Sequence, residues 1–276
     1  MSIRHASFAA AVGCALLIAR PILAKETDIP CMAPEAVPAA VQQAPFLVLG
    51  EVHGTREVPA FVAGYLCAAA KEGRRITLAM ELPAVAQDAI DAFLASRGAT
   101  GDVARFTDAA LWRRPMQDGR SSAAMLELFG RIRTLRATGM DIRVVAIDGE
   151  RAPKAREALL AANLAAVLDG NAGRQVVALV GGLHAIREKG KRFDPQYESE
   201  IYLLSARKPL SLTVGTAGGS AWICRGNTPA TCGEAQWDVN RITPAPAGPF
   251  SLTPPSAQFD GLFYVGPTTA SPPAIR

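Results

Sequence analysis

From residue 46 to residue 180, apolar β-rich runs alternate with segments of helical period, and no other feature restricts the fold as much. Phe46–Gly50, Ile76–Glu81, Ile142–Ile147 and Val176–Val180 read as strands. A helix is expected from about Val58 to Lys71, ending at Gly73. Pro83 suits the first turn of a second helix, which runs to about Ser96. Ser121 or Ser122 can cap a third, in which Met125, Leu128, Phe129, Ile132 and Leu135 recur at helical spacing and which Gly139 ends. A fourth covers about Pro153–Leu168. Strands alternating with helices predict an α/β fold: a mainly parallel central sheet with helices on both faces. Leu210–Val214 and Gly261–Val265 add strands to a loop-rich C-terminal third, since eight of the 20 prolines fall after residue 240. Residues 97–120 are irregular and lie in a long connection between the second and third strands. They are expected to form a wall or lid of a pocket.

The N-terminus reads as a cleaved export signal. Arg4 precedes the small and apolar residues 6–19, and Ile22-Leu23-Ala24 supplies a cleavage site before Lys25. Arg20 interrupts the apolar run, which argues against a membrane anchor. The expected organisation is a signal peptide (1–24), a lead-in segment (25–44), a single α/β catalytic-like domain (45–266) and a C-terminal tail (267–276). The expected location is periplasmic or secreted, with no stable membrane span after cleavage. Cleavage removes two arginines from a net charge of +4, leaving 4 − 2 = +2, too little to imply a nucleic-acid partner. Cys31, Cys67, Cys224 and Cys232 remain, and an even number in an exported chain favours disulfides, with three connectivities. Cys224 and Cys232 flank the turn-like residues 225–231 and are the expected pair, worth about 2–3 kcal/mol by loop closure. The pairing of Cys31 and Cys67 stays open.

The chain has three histidines. His5 lies in the signal segment. The others end two similar phrases, Gly50-Glu51-Val52-His53 and Gly181-Gly182-Leu183-His184, each directly after a strand. In open parallel sheets, ligands bind beyond the carboxyl ends of the strands. The first strand ends in Glu51 and His53, the second in Glu81 and the third in Asp148, and the fourth leads to His184. If the strands are parallel, these five candidate catalytic side chains converge on one edge. Arg56, Arg120 and Arg156 are the cations expected to bind substrate. Two chemical schemes fit. Glu51, His53, Glu81 and His184 can hold a divalent metal such as Mn, Fe or Zn with open positions for water. Without metal, one histidine can take a proton from water while an arginine stabilises the developing oxyanion. No Gly-x-Ser-x-Gly, Gly-x-Gly-x-x-Gly or Walker A phrase occurs.

At Leu49-Gly-Glu-Val-His-Gly-Thr55 and Gly181-Gly-Leu-His-Ala185 the chain resembles the erythromycin esterase, Tiki (TraB) and ChaN haem-uptake superfamily. Arg156-Glu157 with Ala161-Ala-Asn163 is similar to a helix of that superfamily, and Phe259–Gly266 is similar to its last strand. Gly182 and Leu160 depart from the usual asparagine and methionine. The second half also lacks the additional histidines of erythromycin esterases, so a macrolide substrate does not follow. The resemblance implies an exported hydrolase of ester or amide bonds, metal-assisted or metal-free, acting on a small-molecule or peptide substrate. Its rival is a ChaN-like haem- or metal-binding uptake protein without catalysis, for which Tyr65, Tyr197, Tyr202 and Tyr264 are the axial-ligand candidates.

Overall fold

A computed structural model describes residues 30–149 and 153–275. The signal segment, with His5 and the cleavage site, lies outside the described residues. The nine strands are β1 (Phe46–Glu51), β2 (Ile76–Pro83), β3 (Ile142–Asp148), β4 (Gln175–Gly181), β5 (Leu210–Gly215), β6 (Ser220–Cys224), β7 (Cys232–Gln236), β8 (Phe250–Ser251) and β9 (Gly261–Tyr264). The α-helices are α1 (Ala39–Gln43), α2 (Glu57–Lys71), α3 (Gln87–Ala95), α4 (Thr100–Thr107), α5 (Ala123–Ala137), α6 (Pro153–Asp169) and α7 (Glu200–Leu203).

The central sheet has seven strands in the order β3-β2-β4-β1-β5-β9-β8. All its neighbours pair in parallel except β8 with β9. The α/β architecture with a mainly parallel sheet is therefore as the alternation predicts. β1, β2 and β4 are buried along their whole length, because both faces of the sheet are covered. Alternate residues divide between two cores. Leu47, Leu49, Leu78, Met80, Val177 and Leu179 pack with α2, α3 and α5. Phe46, Val48, Ala79, Val176, Ala178 and Val180 face the other way and pack with α6 and α7. β3 alternates more because it is an edge strand. Its outward backbone groups meet side chains: Gln87 donates to Val144 O (3.0 Å) and accepts from Ala146 N (2.8 Å), and Arg136 donates to Ile142 O (2.9 Å).

Helix ends follow local chemistry. The Ser122 hydroxyl caps α5 by accepting from Met125 N, and Gly139, at φ 92°, follows its end. Gly73, at φ 80°, does the same after α2. Six elements go beyond the sequence reading: α1, α4, α7, β6, β7 and β8. α4 forms within residues 97–120, where Phe106 stacks on Phe93 of α3 with ring centroids 4.3 Å apart. β6 and β7 form an antiparallel hairpin whose last pair is Cys224–Cys232. α7 is a single turn capped by Ser199.

Cys224 and Cys232 are joined as a disulfide, as their spacing predicts, and Cys31 is joined to Cys67. The second bridge ties the lead-in to α2, where Met32 N also donates to Gly64 O at 3.0 Å. Residues 267–275 are bonded inward: Ser271 N donates to Gly54 O (2.7 Å) and Ser271 Oγ accepts from Ala124 N (2.9 Å). No helix among the described residues is long and apolar enough to cross a membrane.

Gly54 shows how tightly the segment after β1 is held. It has φ 74°, and a Cβ there would lie 2.1 Å from Trp222 O. Gly73 has a similar φ of 80° with nothing within 4 Å. Gly73→Ala should cost about 1–2 kcal/mol, the left-handed penalty alone. Gly54→Ala adds a backbone clash and should cost roughly 2–5 kcal/mol. Denaturant midpoints of the two variants measure the difference, and equal losses would contradict this packing.

Candidate functional site

Strand order lays the predicted residues in a row. β4 lies between β1 and β2, with β3 beyond β2. The carboxyl ends therefore run Asp148, Glu81, Gly181 with His184, then Glu51 with His53. Glu51 is in register with Gly181, and Gly182 N donates to Glu51 O at 2.9 Å, so the two Gly-x-x-His phrases are neighbours. The register of β2 against β3 shifts between Met80 and Pro83, and Glu81 sits in that irregularity. Such a shift re-aims side chains.

Glu81 is the centre of the cluster and only 4% exposed. Its Oε1 accepts from Arg120 Nη1 (2.9 Å) and Arg156 Nη2 (2.5 Å), and its Oε2 accepts from Gly181 N (2.8 Å). The same two guanidinium nitrogens reach Asp148 Oδ2 at 3.1 and 2.6 Å. Burial opposes ionisation of Glu81, but His53, His184 and Arg120 outweigh it and hold the carboxyl well below the usual range. Burial likewise opposes the charge of Arg120, which Asp118 restores with bonds to Nε (3.2 and 3.1 Å) and Nη2 (2.6 Å). Removing one partner from a buried charged network costs about 3–5 kcal/mol.

The two histidines have different surroundings. His53, 22% exposed in its side chain, has Nδ1 3.1 Å from Glu51 Oε1 and Nε2 3.4 Å from Glu81 Oε2. Burial disfavours the imidazolium, yet Glu51 and Glu81 together raise its pKa from 6.5 to about 10. His184 has Nδ1 2.9 Å from the Glu157 carboxylate and Nε2 2.9 Å from Arg156 Nη1. A guanidinium can only donate, so Nε2 is an acceptor and Nδ1 carries the proton given to Glu157. Glu157 also accepts from Glu200 N at 3.0 Å and from the Tyr197 hydroxyl. Burial opposes its charge, and His184 more than compensates, so its pKa is lowered. Beside these groups the Glu200 carboxyl is fully buried with neither oxygen bonded. Burial, reinforced by Glu81 and Glu157, pushes its pKa well above the usual range.

Gly181 makes room for this arrangement. A Cβ there would stand 3.0 Å from His53 Nε2, 3.2 Å from Glu81 Oε2 and 3.5 Å from His184 Cδ2. Gly119, at φ 95°, backs onto Gly54, where its own Cβ would lie 2.3 Å from Gly54 N. That contact, with Trp222 Nε1 donating to Gln117 O at 2.9 Å, brings Arg120 to the cluster. Residues 97–120 thus divide. The 117–120 turn reaches the strand edge, and α4 packs away from it on α3.

Glu51, His53, Glu81, Asp148, His184, Arg120 and Arg156 therefore meet at one edge. Arg56 does not join them: it is exposed just before α2, and its backbone N–H donates to Thr269 O. Asp118, Glu157, Tyr197 and Glu200 belong to the neighbourhood but are not among the predicted site residues. Two of them had a signal in the sequence, because Glu157 directly follows Arg156 and Asp118 shares a glycine turn with Arg120.

The donor set does not fit a resident metal ion. Of the four candidate ligands, Glu81 is bound by two guanidiniums, Glu51 is paired with His53 Nδ1, and His184 Nε2 is taken up by Arg156. Among the described residues no group of three or more His, Cys, Asp or Glu is arranged to hold a metal. For haem, Tyr65 is buried at the opposite end of the sheet, bonded to Gln175 at 2.8 Å. Tyr197 is engaged with Glu157.

No family model and no curated protein matches the sequence. Solved structures do match the fold. A Bacillus cereus protein has a TM-score of 0.57 at 10% identity, over 82% of this chain and 89% of that chain. The type III effector HopBA1 has a TM-score of 0.50 at 13% identity, over 87% and 96%. A variant of the erythromycin esterase EreC in its open conformation has a TM-score of 0.50 at 8% identity, over 85% and 78%. At these identities the likeness is one of fold, which the chain shares with an erythromycin esterase.

Proposed function

We propose that the chain is an exported hydrolase of ester or amide bonds, with His184 as base and His53 as acid. One observation carries this reading: two imidazoles at one strand edge share Glu81, and only one of them meets a guanidinium. His53 has Glu51 on Nδ1 and Glu81 on Nε2, whereas His184 has Glu157 on Nδ1 and, on Nε2, Arg156 at 2.9 Å with Glu81 Oε1 at 3.6 Å. Export is supported by the N-terminal pattern and by two disulfides, which persist in oxidising compartments.

In this mechanism the substrate carbonyl and a water enter between Arg156 and His184. Arg156 stays anchored through Nη2 to Glu81 and Asp148, and Nη1 turns from the imidazole to the carbonyl oxygen. His184 Nε2 takes the water proton, and Glu157 stabilises the resulting imidazolium through Nδ1. The water oxygen attacks the carbonyl carbon, and Arg156 stabilises the oxyanion. His53 then protonates the leaving oxygen or nitrogen as its bond to carbon breaks. Glu51 and Glu81 keep His53 charged for that step. The haem-carrier reading has no comparable support, because a carrier needs an axial ligand and not an acid–base pair.

A screen of chromogenic esters and peptide amides on the purified mature protein tests this. His184→Ala and His53→Gln should each lower kcat/KM by about 10²–10⁴-fold with circular dichroism unchanged. Full activity in both variants would refute the assignment, and stoichiometric haem absorbance without hydrolysis would favour the carrier. The pH profile gives a second check. The pKa of His53 is raised, so its charged form is complete below 6.5 and is lost as the pH rises through about 10. The stability contributed by its carboxylate contacts follows the same course. The alkaline limb of kcat/KM should therefore fall near pH 10, and His53→Gln should abolish that limb. Gly181→Ala, which crowds His53 and Glu81, should lower kcat more than it raises KM. An unchanged kcat would show that the two side chains need no such room.

A further inference from the structure

A cleft of about 850 Å³ opens directly on the working face of His184, Arg156 and Glu157. Its walls are unlike its floor. Leu183 and Leu203 line it with 55% and 41% of their surfaces exposed, so the cleft offers two apolar side chains beside a charged cluster. Lys191 stands at the same wall, its Nζ 3.7 Å from the centre of the Tyr197 ring.

Of the carboxylates that line this cleft, Glu157 and Glu198 are paired, and Asp194, across a backbone bridge from Lys191, accepts from one backbone N–H. Glu157 holds His184 and the Glu200 N–H. Lys189 bonds Glu198 at 2.9 Å, and the Gln196 N–H donates to Asp194 Oδ1 at 3.1 Å. Lys191, by contrast, has no carboxylate within 4.0 Å among the described residues. The cleft therefore combines two exposed leucines, an aromatic ring and one ammonium with no carboxylate within 4.0 Å among the described residues, all next to His184, whose Nε2 accepts from Arg156.

We infer that this cleft is the substrate's side-group pocket and that it takes an apolar arm ending in an anionic group, with the arm against Leu183 and Leu203 and the anion on Lys191. The inference rests on the hydrolase reading for the word substrate, but not for the binding itself.

The test uses two p-nitrophenyl esters of equal chain length, p-nitrophenyl hexanoate and mono-p-nitrophenyl adipate. The purified protein should prefer the adipate by about fivefold in kcat/KM, the scale of one exposed charge pair. Lys191→Met should bring the ratio close to one and Lys191→Glu should invert it. Leu203→Asp should raise KM for both. Binding of 6-phenylhexanoate and 6-phenylhexanol, followed by calorimetry on the same proteins, separates the two ideas. Hydrolysis of both esters without preference, and with no change of ratio in the Lys191 variants, overturns the pocket and leaves the hydrolase. No hydrolysis of either ester, with Lys191-dependent binding of 6-phenylhexanoate over 6-phenylhexanol, overturns the hydrolase and keeps the pocket. Equal binding of both compounds overturns the pocket on its own.

Discussion

A single buried carboxylate, Glu81, sets the terms for the charged groups around it. It cannot stay ionised at this depth without partners, and its partners come from four places: the turn before α5, helix α6, the end of β4 and the loop after β1. Each of these segments is held to the strand edge partly because Glu81 is there. The relation is mutual. The buried Arg120 and the half-buried Arg156 could not stand beside each other without the carboxylates of Glu81 and Asp148 between them. The site is thus an electrostatic unit, in which each charge is affordable only in the presence of the others.

The twin histidine phrases sit in unequal settings. The segment after β1 is clamped from behind. Gly54 O accepts from both Trp222 N and Ser271 N, and Gly119 closes against the same glycine. Those contacts join the hairpin, the final residues and the 117–120 turn around His53. The segment after β4 is lighter. His184 O receives one bond from Ile201 N, and Leu183 points into the open. Equivalent sequence positions therefore yield one phrase braced by three neighbouring segments and one whose Leu183 is exposed to solvent, although the His184 ring itself is the less exposed of the two imidazoles.

Much of this was legible in the sequence, for physical reasons. β1, β2 and β4 are apolar throughout because they are buried on both faces, and such runs between helical segments leave few alternatives. Once those strands are parallel, the ends of the runs share one edge, so the meeting of Glu51, Glu81, Asp148 and His184 there follows from position alone. What escaped depends on tertiary placement. β6 is five residues of mixed burial, and its pairing with β7 leaves little pattern. Asp118 and Glu157 stand beside two predicted arginines, and that adjacency is their only local mark; what makes them part of the cluster is where the 117–120 turn and α6 are placed. Arg56 illustrates the opposite case. It is three residues from His53, but the chain turns into α2 and carries it away. The Cys31–Cys67 bridge was beyond the spacing argument because it joins the lead-in to a helix, not two ends of a short loop.

The side chains laid along β3 have a consequence for how this protein behaves among copies of itself. An edge strand is a template for another chain, and an α/β sheet has two of them. Here Gln87 imitates a neighbouring peptide unit, giving a donor to Val144 O and an acceptor to Ala146 N, while Arg136 occupies Ile142 O. At the far side the sheet tapers to the two residues of β8. A passing strand finds one rim already hydrogen-bonded and the other too short to template it. The folded sheet therefore offers intermolecular β-pairing little purchase at either rim.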